Sequence, residues 1–221
     1  STAPVPPISD SYFGIIQEKL WREPFWLLIA VTFLNKTTGR AAVPVFWELK
    51  KRYITPEALS DAPQEELEAL IWHLGLQRQR SKRLISMARA WIAAPPKQGV
   101  RFRTLHYPSK TDGKEYKTTE PVEVDADDCA GALEIGHIPG CGPYAWDSWR
   151  IFCRDVLRCV AHDYNGSEAE IQGFIPEWMR VLPGDKELRA CLRWMWLREG
   201  WIWNCETGAK RRAMDDEMER A

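Results

Sequence analysis

The sequence predicts an all-α protein with short connections, from two kinds of observation. Apolar residues recur at helical spacing along most of the chain, as Phe13, Ile16 and Leu20 do near its start. Prolines stand where they begin helices, as Pro24 does before an uncharged apolar run over residues 25–35. The length and lack of charge of that run indicate a helix buried at the centre of the domain.

The elements before residue 95 are predicted to be helices. Pro56 and Pro63 each stand at a helix start, and Gly75 follows a helix end. The last helix of this half is basic and amphipathic, and Pro95-Pro96 ends it. The predicted helices cover residues 12–21, 24–35, 40–52, 56–60, 63–74 and 77–94.

The second half alternates helices with irregular segments. Residues 99–124 contain a Thr-Asp-Gly turn and little helical pattern, so we expect an irregular insertion or a short β-hairpin there. Residues 162–173 are predicted to form a polar loop. The predicted helices of this half cover residues 126–136, 143–160, 176–181 and 186–200.

Composition excludes several classes of protein. No stretch approaches the roughly 18 apolar residues of a membrane span. The first residues, STAPVPPISD, lack the basic start and apolar run of a signal peptide, so 1–10 are expected to be a disordered lead-in. The cysteines have no Cys-x-x-Cys spacing, which predicts neither a metal site nor a cofactor. Residues 11–205 are predicted to form the folded domain and 206–221 a charged tail.

Charge is distributed unevenly although the net charge is only −1. Residues 72–117 contain eleven Lys and Arg against two acidic residues, Asp112 and Glu115. A basic run is most often a solvated face, and it is also what a DNA-facing surface requires. A neutral protein can therefore bind phosphate locally through one basic face.

The segment 138–142, Ile-Pro-Gly-Cys-Gly, predicts a tight turn between two helices. Gly140 and Gly142 let the backbone turn and bring its amides close to a ligand. Pro143 then begins a helix, whose N-terminus adds partial positive charge. A tight interhelical turn explains the glycines equally well, but with a helix on each side the pattern favours a cradle for a DNA phosphate.

Asp185 is a candidate catalytic carboxylate. It follows Pro183-Gly184 at the predicted start of an apolar helix, where backbone amides hold a carboxylate in place. A carboxylate held in this way can stabilise positive charge in a transition state and orient an attacking water. An ordinary N-cap Asp is the alternative. Asp147, one turn into the helix after the glycine turn, is the rival carboxylate.

The Ile-Pro-Gly-Cys-Gly turn resembles the hairpin of the helix-hairpin-helix glycosylase superfamily, whose members carry a catalytic Asp at the start of a later helix. Within it, the chain resembles the glycosylase domain of the methyl-CpG-binding-domain mismatch thymine/uracil glycosylases. The resemblance implies a two-lobed helical fold with insertions near 99–125 and 155–178. It rests on residues 16–20, 24–47, 74–85, 136–153 and 181–197.

The resemblance also implies roles for individual residues. Asp185 matches the catalytic Asp, and Gln17 and Tyr144 match residues that line the pocket for the flipped base. Lys36 stands where relatives carry a wedge that fills the space the base leaves. Contacts to the orphaned partner base are assigned to Leu74, Gly75 and Leu76. Contacts to DNA phosphates are assigned to Gly140, Gly142, Arg78, Arg80 and Lys82, with Ser148 and Arg150 as further candidates.

The implied function is hydrolysis of thymine or uracil mispaired with guanine, by a nuclear, monomeric enzyme acting on double-stranded DNA without a membrane partner. No Lys occupies the position beside the hairpin where bifunctional relatives carry a Schiff-base amine, and the four-cysteine iron–sulfur loop is absent. This favours a monofunctional enzyme that uses water. Two alternatives stay open: a catalytically weak or inactive DNA-binding module, and a glycosylase for another modified pyrimidine.

Overall fold

A computed structural model describes residues 5–117, 120–122 and 130–219 and confirms a predominantly helical fold. The α-helices are α1 (Gln17–Leu20), α2 (Pro24–Leu34), α3 (Gly39–Arg52), α4 (Pro56–Ser60), α5 (Gln64–Ile71), α6 (Gln77–Ala93), α7 (Pro143–Phe152), α8 (Arg154–Leu157), α9 (Lys186–Arg198) and α10 (Asp215–Glu219). Two short 3₁₀ helices cover Trp72–Leu74 and Glu177–Arg180. The strands are β1 (Phe102–Arg103), β2 (Ala132–Leu133), β3 (Trp201–Trp203) and β4 (Lys210–Arg212).

The chain divides into two compact units, and it passes from one to the other after Arg22 and again after Trp146, inside α7. One unit, called here the hairpin unit, contains residues 23–146. The other, called here the Asp185 unit, contains the described residues 5–22 and 147–219.

In the hairpin unit, α2 is the buried helix that its sequence predicts. Its residues from Phe25 to Phe33 are all buried, because an apolar segment without a polar face is stable only inside the protein. Helix α3 packs against α2. The basic helix α6 packs against α4 and α5, burying Leu84, Met87 and Ala88 along one face.

The insertion in the hairpin unit contributes β1 to a two-stranded sheet whose other strand, β2, follows the insertion, and Arg101 also forms an antiparallel bridge with Val122. Strand β1 pairs antiparallel with β2, so that Phe102 faces Leu133 and Arg103 faces Ala132. Gly136 lies against β1, where a Cβ would come within 2.2 Å of the Phe102 carbonyl oxygen. The helix predicted over 126–136 is therefore wrong for 130–136, which form β2 and turns. Residues 126–129 of that prediction lie outside the described residues.

In the Asp185 unit, the helix predicted over 143–160 is broken. Cys153, with φ −124° and ψ −30°, separates α7 from α8. The buried carboxylate of Glu177 pairs with the guanidinium groups of Arg150 and Arg154, and its amide donates to Asp155 over 2.7 Å. These contacts fasten the end of the insertion predicted near 155–178 to α7 and α8.

The segment predicted as a charged tail contains regular structure. Strand β4 pairs antiparallel with β3, which places Trp201 opposite Arg212, Ile202 opposite Arg211 and Trp203 opposite Lys210. Helix α10 follows, and β3 packs against α9.

Two features are absent from the part of the chain that the structure describes. None of the helices in the described ranges is both long and apolar enough to cross a membrane. The same residues contain no cluster of His, Cys, Asp or Glu that could hold a metal ion.

Candidate active site

The predicted site residues are distributed over both units, and each unit is described by itself. In the hairpin unit, the two glycines of the turn at residues 138–142, called here the glycine turn, differ in backbone conformation and surroundings. Gly140 has φ +82°, a left-handed conformation that glycine adopts without strain, and the side chain of Arg83 lies across it. Gly142 has no such requirement, and a Cβ there would meet no atom within 4 Å. Gly142 therefore leaves open space above the backbone just before α7, as the predicted phosphate cradle requires.

A pocket of about 230 Å³ adjoins this turn. Its walls come from the end of α2, from Gly140 and Gly142, and from the first residues of α7. Tyr144, whose assignment to the base pocket stays a prediction, lines it, and so do Thr32 and Asn35, which were not predicted as site residues. The only signal for Asn35 was its place directly before Lys36, in a segment assigned to the wedge.

Lys36 lies at the tip of the turn between α2 and α3. It is exposed and has φ +61°, a conformation that costs a non-glycine residue about 1–2 kcal/mol. Backbone strain of this kind persists only where the surroundings impose it, and it is common at functional sites. The turn thus presents the Lys36 side chain to solvent, and its role as a wedge stays a prediction.

The turn between the 3₁₀ helix and α6 is strained in the same way. Gly75 has φ +72° and Leu76 has φ +53°, and the Leu76 side chain is 59% exposed. A large apolar side chain held in a strained conformation and open to water has no role in the core. The Leu76 side chain is available to pack against a ligand, and its contact to the orphaned base stays a prediction. Leu74 ends the 3₁₀ helix beside it and is only partly exposed.

Arg80 joins these two turns, and here the structure departs from the prediction. Its guanidinium is buried and donates to the carbonyl oxygens of Thr32, Phe33 and Asn35 over 3.2, 3.3 and 3.1 Å. It also donates to Thr37 Oγ1 over 2.8 Å. These are the carbonyls that the end of a helix leaves without partners. Arg80 therefore positions the Lys36 turn instead of contacting phosphate.

Arg78 and Lys82, the other two basic residues assigned to phosphate, are exposed on α6. Lys82 lines a second pocket of about 380 Å³ together with Arg89. Exposed cations on one helix are accessible to phosphate, and the phosphate contacts of these two residues stay a prediction.

In the Asp185 unit, Asp185 caps the N-terminus of α9. Its Oδ1 accepts hydrogen bonds from the amides of Glu187 and Leu188, over 2.8 and 3.0 Å. Within the described part of the chain, Oδ2 accepts no hydrogen bond. The side chain is only partly buried. One oxygen is thus held by the helix N-terminus, which stabilises negative charge, while the other is available to a ligand.

The segment before Asp185 is also held in place. Arg189, one turn into α9, donates from Nε to the Pro183 carbonyl oxygen over 2.7 Å. Gly184 has open space where a Cβ would stand. The backbone leading into the helix is therefore held at Pro183, and it has open space beside it at Gly184.

Gln17 lies on α1 and is only 2% exposed. Its neighbour Glu18 accepts hydrogen bonds from the amides of Phe13, Gly14 and Ile15, the last over 3.1 Å. This turn replaces the first part of the helix predicted over 12–21. The Tyr164 hydroxyl donates to Glu18 over 3.4 Å, so the insertion supports the element that carries Gln17.

Asp147, Ser148 and Arg150 are all buried within α7. Arg150 is paired with Glu177, as described above, so the suggestion that it contacts phosphate is wrong, and Ser148 is fully buried. Of the two rival carboxylates, Asp147 is buried while Asp185 is partly exposed with an oxygen available. The geometry favours Asp185 as the residue that meets a substrate.

Three relatives share local similarity with this chain. A thymine-DNA glycosylase of Aeropyrum pernix is 42% identical over 72 residues, which cover 31% of this chain and 32% of the relative. A thymine/uracil-DNA glycosylase of Pyrobaculum aerophilum is 38% identical over 64 residues, 28% of each chain. A methyl-CpG-binding domain protein 4-like protein of Arabidopsis thaliana is 35% identical over 78 residues, 35% of this chain and 17% of the relative. The matched segments thus span about a third or less of each relative.

The family comparison covers far more of the chain. Residues 29–200 match the family described as HhH-GPD superfamily base excision DNA repair protein. The matched range contains the glycine turn, the two strained turns joined by Arg80, and Asp185 at the start of α9. The chain belongs to the HhH-GPD superfamily of base excision DNA repair proteins.

Proposed function

We propose that this protein is a monofunctional DNA glycosylase that hydrolyses the N-glycosidic bond of thymine or uracil paired with guanine. Membership of a base excision repair family and the names of two relatives, a thymine-DNA and a thymine/uracil-DNA glycosylase, support this choice of substrate. The single observation that carries the chemistry is Asp185, with Oδ1 held by two amides and Oδ2 accepting no bond from the described residues.

In the proposed reaction, the bond between the sugar C1′ and the base N1 breaks, and its electron pair leaves with the base. Positive charge develops on C1′ and the ring oxygen, and the Asp185 carboxylate stabilises it. Water then adds its oxygen to C1′. Its proton passes to the carboxylate and finally to the departing base, so the products are the free base and an abasic site.

The target nucleotide has to leave the duplex before this reaction. Gln17 is assigned to the edge of the flipped pyrimidine and Tyr144, which lines the pocket beside the glycine turn, to its ring. Lys36 would fill the vacated space, and Leu76 would contact the guanine left without a partner. The amides before α7, with Gly142 open above them, would bind a phosphate.

The test is single-turnover base release from duplexes that contain G·T, G·U or A·T at one position. We expect release from G·T and G·U but not from A·T. Asp185→Asn should slow release by about 100-fold or more while leaving DNA binding in place, because Asn keeps the N-cap hydrogen bonds and loses the charge.

Asp163→Asn is the matched control, because Asp163 also accepts two amide hydrogen bonds through Oδ1, from Asn165 and Ser167. It should release base at the parent rate. Equal rates for the parent and Asp185→Asn would refute the assignment of Asp185. Salt-sensitive binding without base release from any duplex would indicate an inactive DNA-binding module, and release only from other modified pyrimidines would change the substrate.

A further inference from the structure

Strands β3 and β4 form a small ribbon after residue 200, where the family match ends. All three residues of β4, Lys210, Arg211 and Arg212, are cationic and exposed. None of the DNA-contacting roles implied by the family resemblance falls on these three residues.

The cationic side chains on the two faces of β4 have different partners. Arg211 points to one face, where it forms a bidentate pair with Glu217 of α10, over 2.6 and 2.8 Å. Lys210 and Arg212 share the opposite face, because alternate residues of a strand point to opposite sides. That face carries charge that α10 does not neutralise.

Lys210 and Arg212 are held over tryptophan rings instead of carboxylates. Lys210 Nζ lies 4.4 Å from the ring centroid of Trp196, and the Arg212 guanidinium lies 4.0 Å from that of Trp201. Neither side chain forms an ion pair with any residue that the structure describes. Stacking orders the two cationic side chains, and both residues remain exposed, so binding an anion costs them little further entropy.

The ribbon lies beside the segment that carries Asp185. Strand β3 packs against α9, whose N-cap is Asp185. At the connection between the strands, a Cβ on Gly208 would lie 3.4 Å from Leu182 Cδ2, three residues before Asp185. Arg193 of α9 also donates to Cys205 Sγ over 2.8 Å.

We infer that the β3–β4 ribbon is a second DNA-binding element, in which Lys210 and Arg212 contact backbone phosphates of the strand that is processed at Asp185. A polyanion is the ligand that suits two ordered, exposed cations on a strand next to a glycosylase carboxylate. This inference rests on the proposed DNA substrate, although it requires no particular base.

The experiment measures how salt weakens binding of the full chain to an undamaged duplex, by fluorescence anisotropy between 50 and 200 mM KCl. Lys210→Gln/Arg212→Gln keeps side-chain stems over the rings and removes both charges. Each lost phosphate contact should flatten the slope of log K against log salt by about 0.9. The double variant should therefore lose up to about 1.8 from the slope and bind more weakly at 50 mM.

Lys50→Gln/Arg52→Gln is the matched control. Lys50 and Arg52 have the same spacing and also lie over aromatic rings, of Trp26 and Tyr53, but carboxylates of Glu23 and Glu66 hold them. The control should keep the parent slope. A second variant, Lys210→Arg/Arg212→Lys, should also keep it, because both charges remain.

A parent-like slope for Lys210→Gln/Arg212→Gln, with folding verified by circular dichroism, would overturn the inference. An unchanged slope together with lost binding to polyglutamate would assign the ribbon to an acidic protein partner and overturn it equally. If the proposed function is wrong, the parent protein releases no base from any duplex. The salt slope of DNA binding still decides whether the ribbon contacts phosphates.

Discussion

Arg80 donates a hydrogen bond of 3.1 Å from Nη2 to the carbonyl oxygen of Asn35, the residue that caps the C-terminus of α2. Arg80 lies in the first turn of α6, the helix that begins directly after the strained Leu76. Asn35 lies directly before the strained Lys36. One buried guanidinium thus connects two turns whose exposed tips are the proposed contacts to the DNA duplex.

Replacing Arg80 should destabilise the hairpin unit. Arg80→Met leaves four acceptors without their donor, and hydrogen bonds from a charged group contribute about 1.5–3 kcal/mol. We expect the free energy of unfolding in urea to fall by about 2–4 kcal/mol. Arg78→Met, on the exposed face of the same helix, should change it by less than about 0.5 kcal/mol. Equal effects of the two substitutions would contradict the positioning role of Arg80.

The two glycines of the hairpin should respond differently to alanine. Gly140→Ala forces a left-handed alanine against Arg83 and should cost about 1–2 kcal/mol of stability, measured by urea unfolding. Gly142→Ala meets no neighbour and should fold like the parent. Its methyl group would nevertheless obstruct the amides, so DNA affinity should fall roughly tenfold. Parent-like DNA affinity of Gly142→Ala would exclude close approach of phosphate at that residue.

Leu76 should show a conflict between stability and function. Leu76→Gly removes a left-handed conformation that costs about 1–2 kcal/mol and adds the chain entropy of glycine, about 0.5–1 kcal/mol. Stability should therefore stay level or rise slightly, while base release opposite guanine slows. Leu105→Ala, which removes most of another exposed leucine, is the control and should leave release unchanged. A clear loss of stability in Leu76→Gly would show that Leu76 has a structural role.

Asp155 should make the protein less stable at neutral pH than in mild acid. Burial raises its pKa from 3.8 to about 6, so the folded protein binds this proton more tightly than the unfolded chain. The free energy of unfolding should then fall as pH rises from about 4 to about 6. We expect Asp155→Asn to be more stable than the parent at pH 8, by up to about 3 kcal/mol, with no advantage below pH 4.

The comparison is a series of thermal unfolding curves from pH 4 to pH 8. Asp163→Asn should change stability in the opposite direction. Although burial acts to raise the pKa of Asp163, hydrogen bonds from Ser167 and Asn165 lower it overall. That variant should lose stability above pH 4. An Asp155→Asn curve parallel to that of the parent across this range would exclude a buried, protonated Asp155.

Local signals in the sequence determined most of the helices, the apolar α2, the glycine turn and Asp185 at a helix start. These features depend on residues close together in the chain: helical spacing, a proline at the first turn, or an acid two residues after Pro183. The hydrogen bonds that Asp185 accepts from backbone amides confirm its predicted position at the start of the helix. Such a position can be predicted locally, because the amides that an N-cap side chain binds belong to the two or three residues that follow it.

Only the tertiary structure decided how charged side chains are used. Arg78, Arg80 and Lys82 look alike in the sequence, yet Arg80 is buried against the end of α2, 45 residues away from it at Asn35. The structure likewise replaced a predicted helix over 130–136 with β2, because its partner β1 lies about 30 residues earlier. Burial and strand pairing are set by contacts distant in the chain, and no local pattern of residues carries that information.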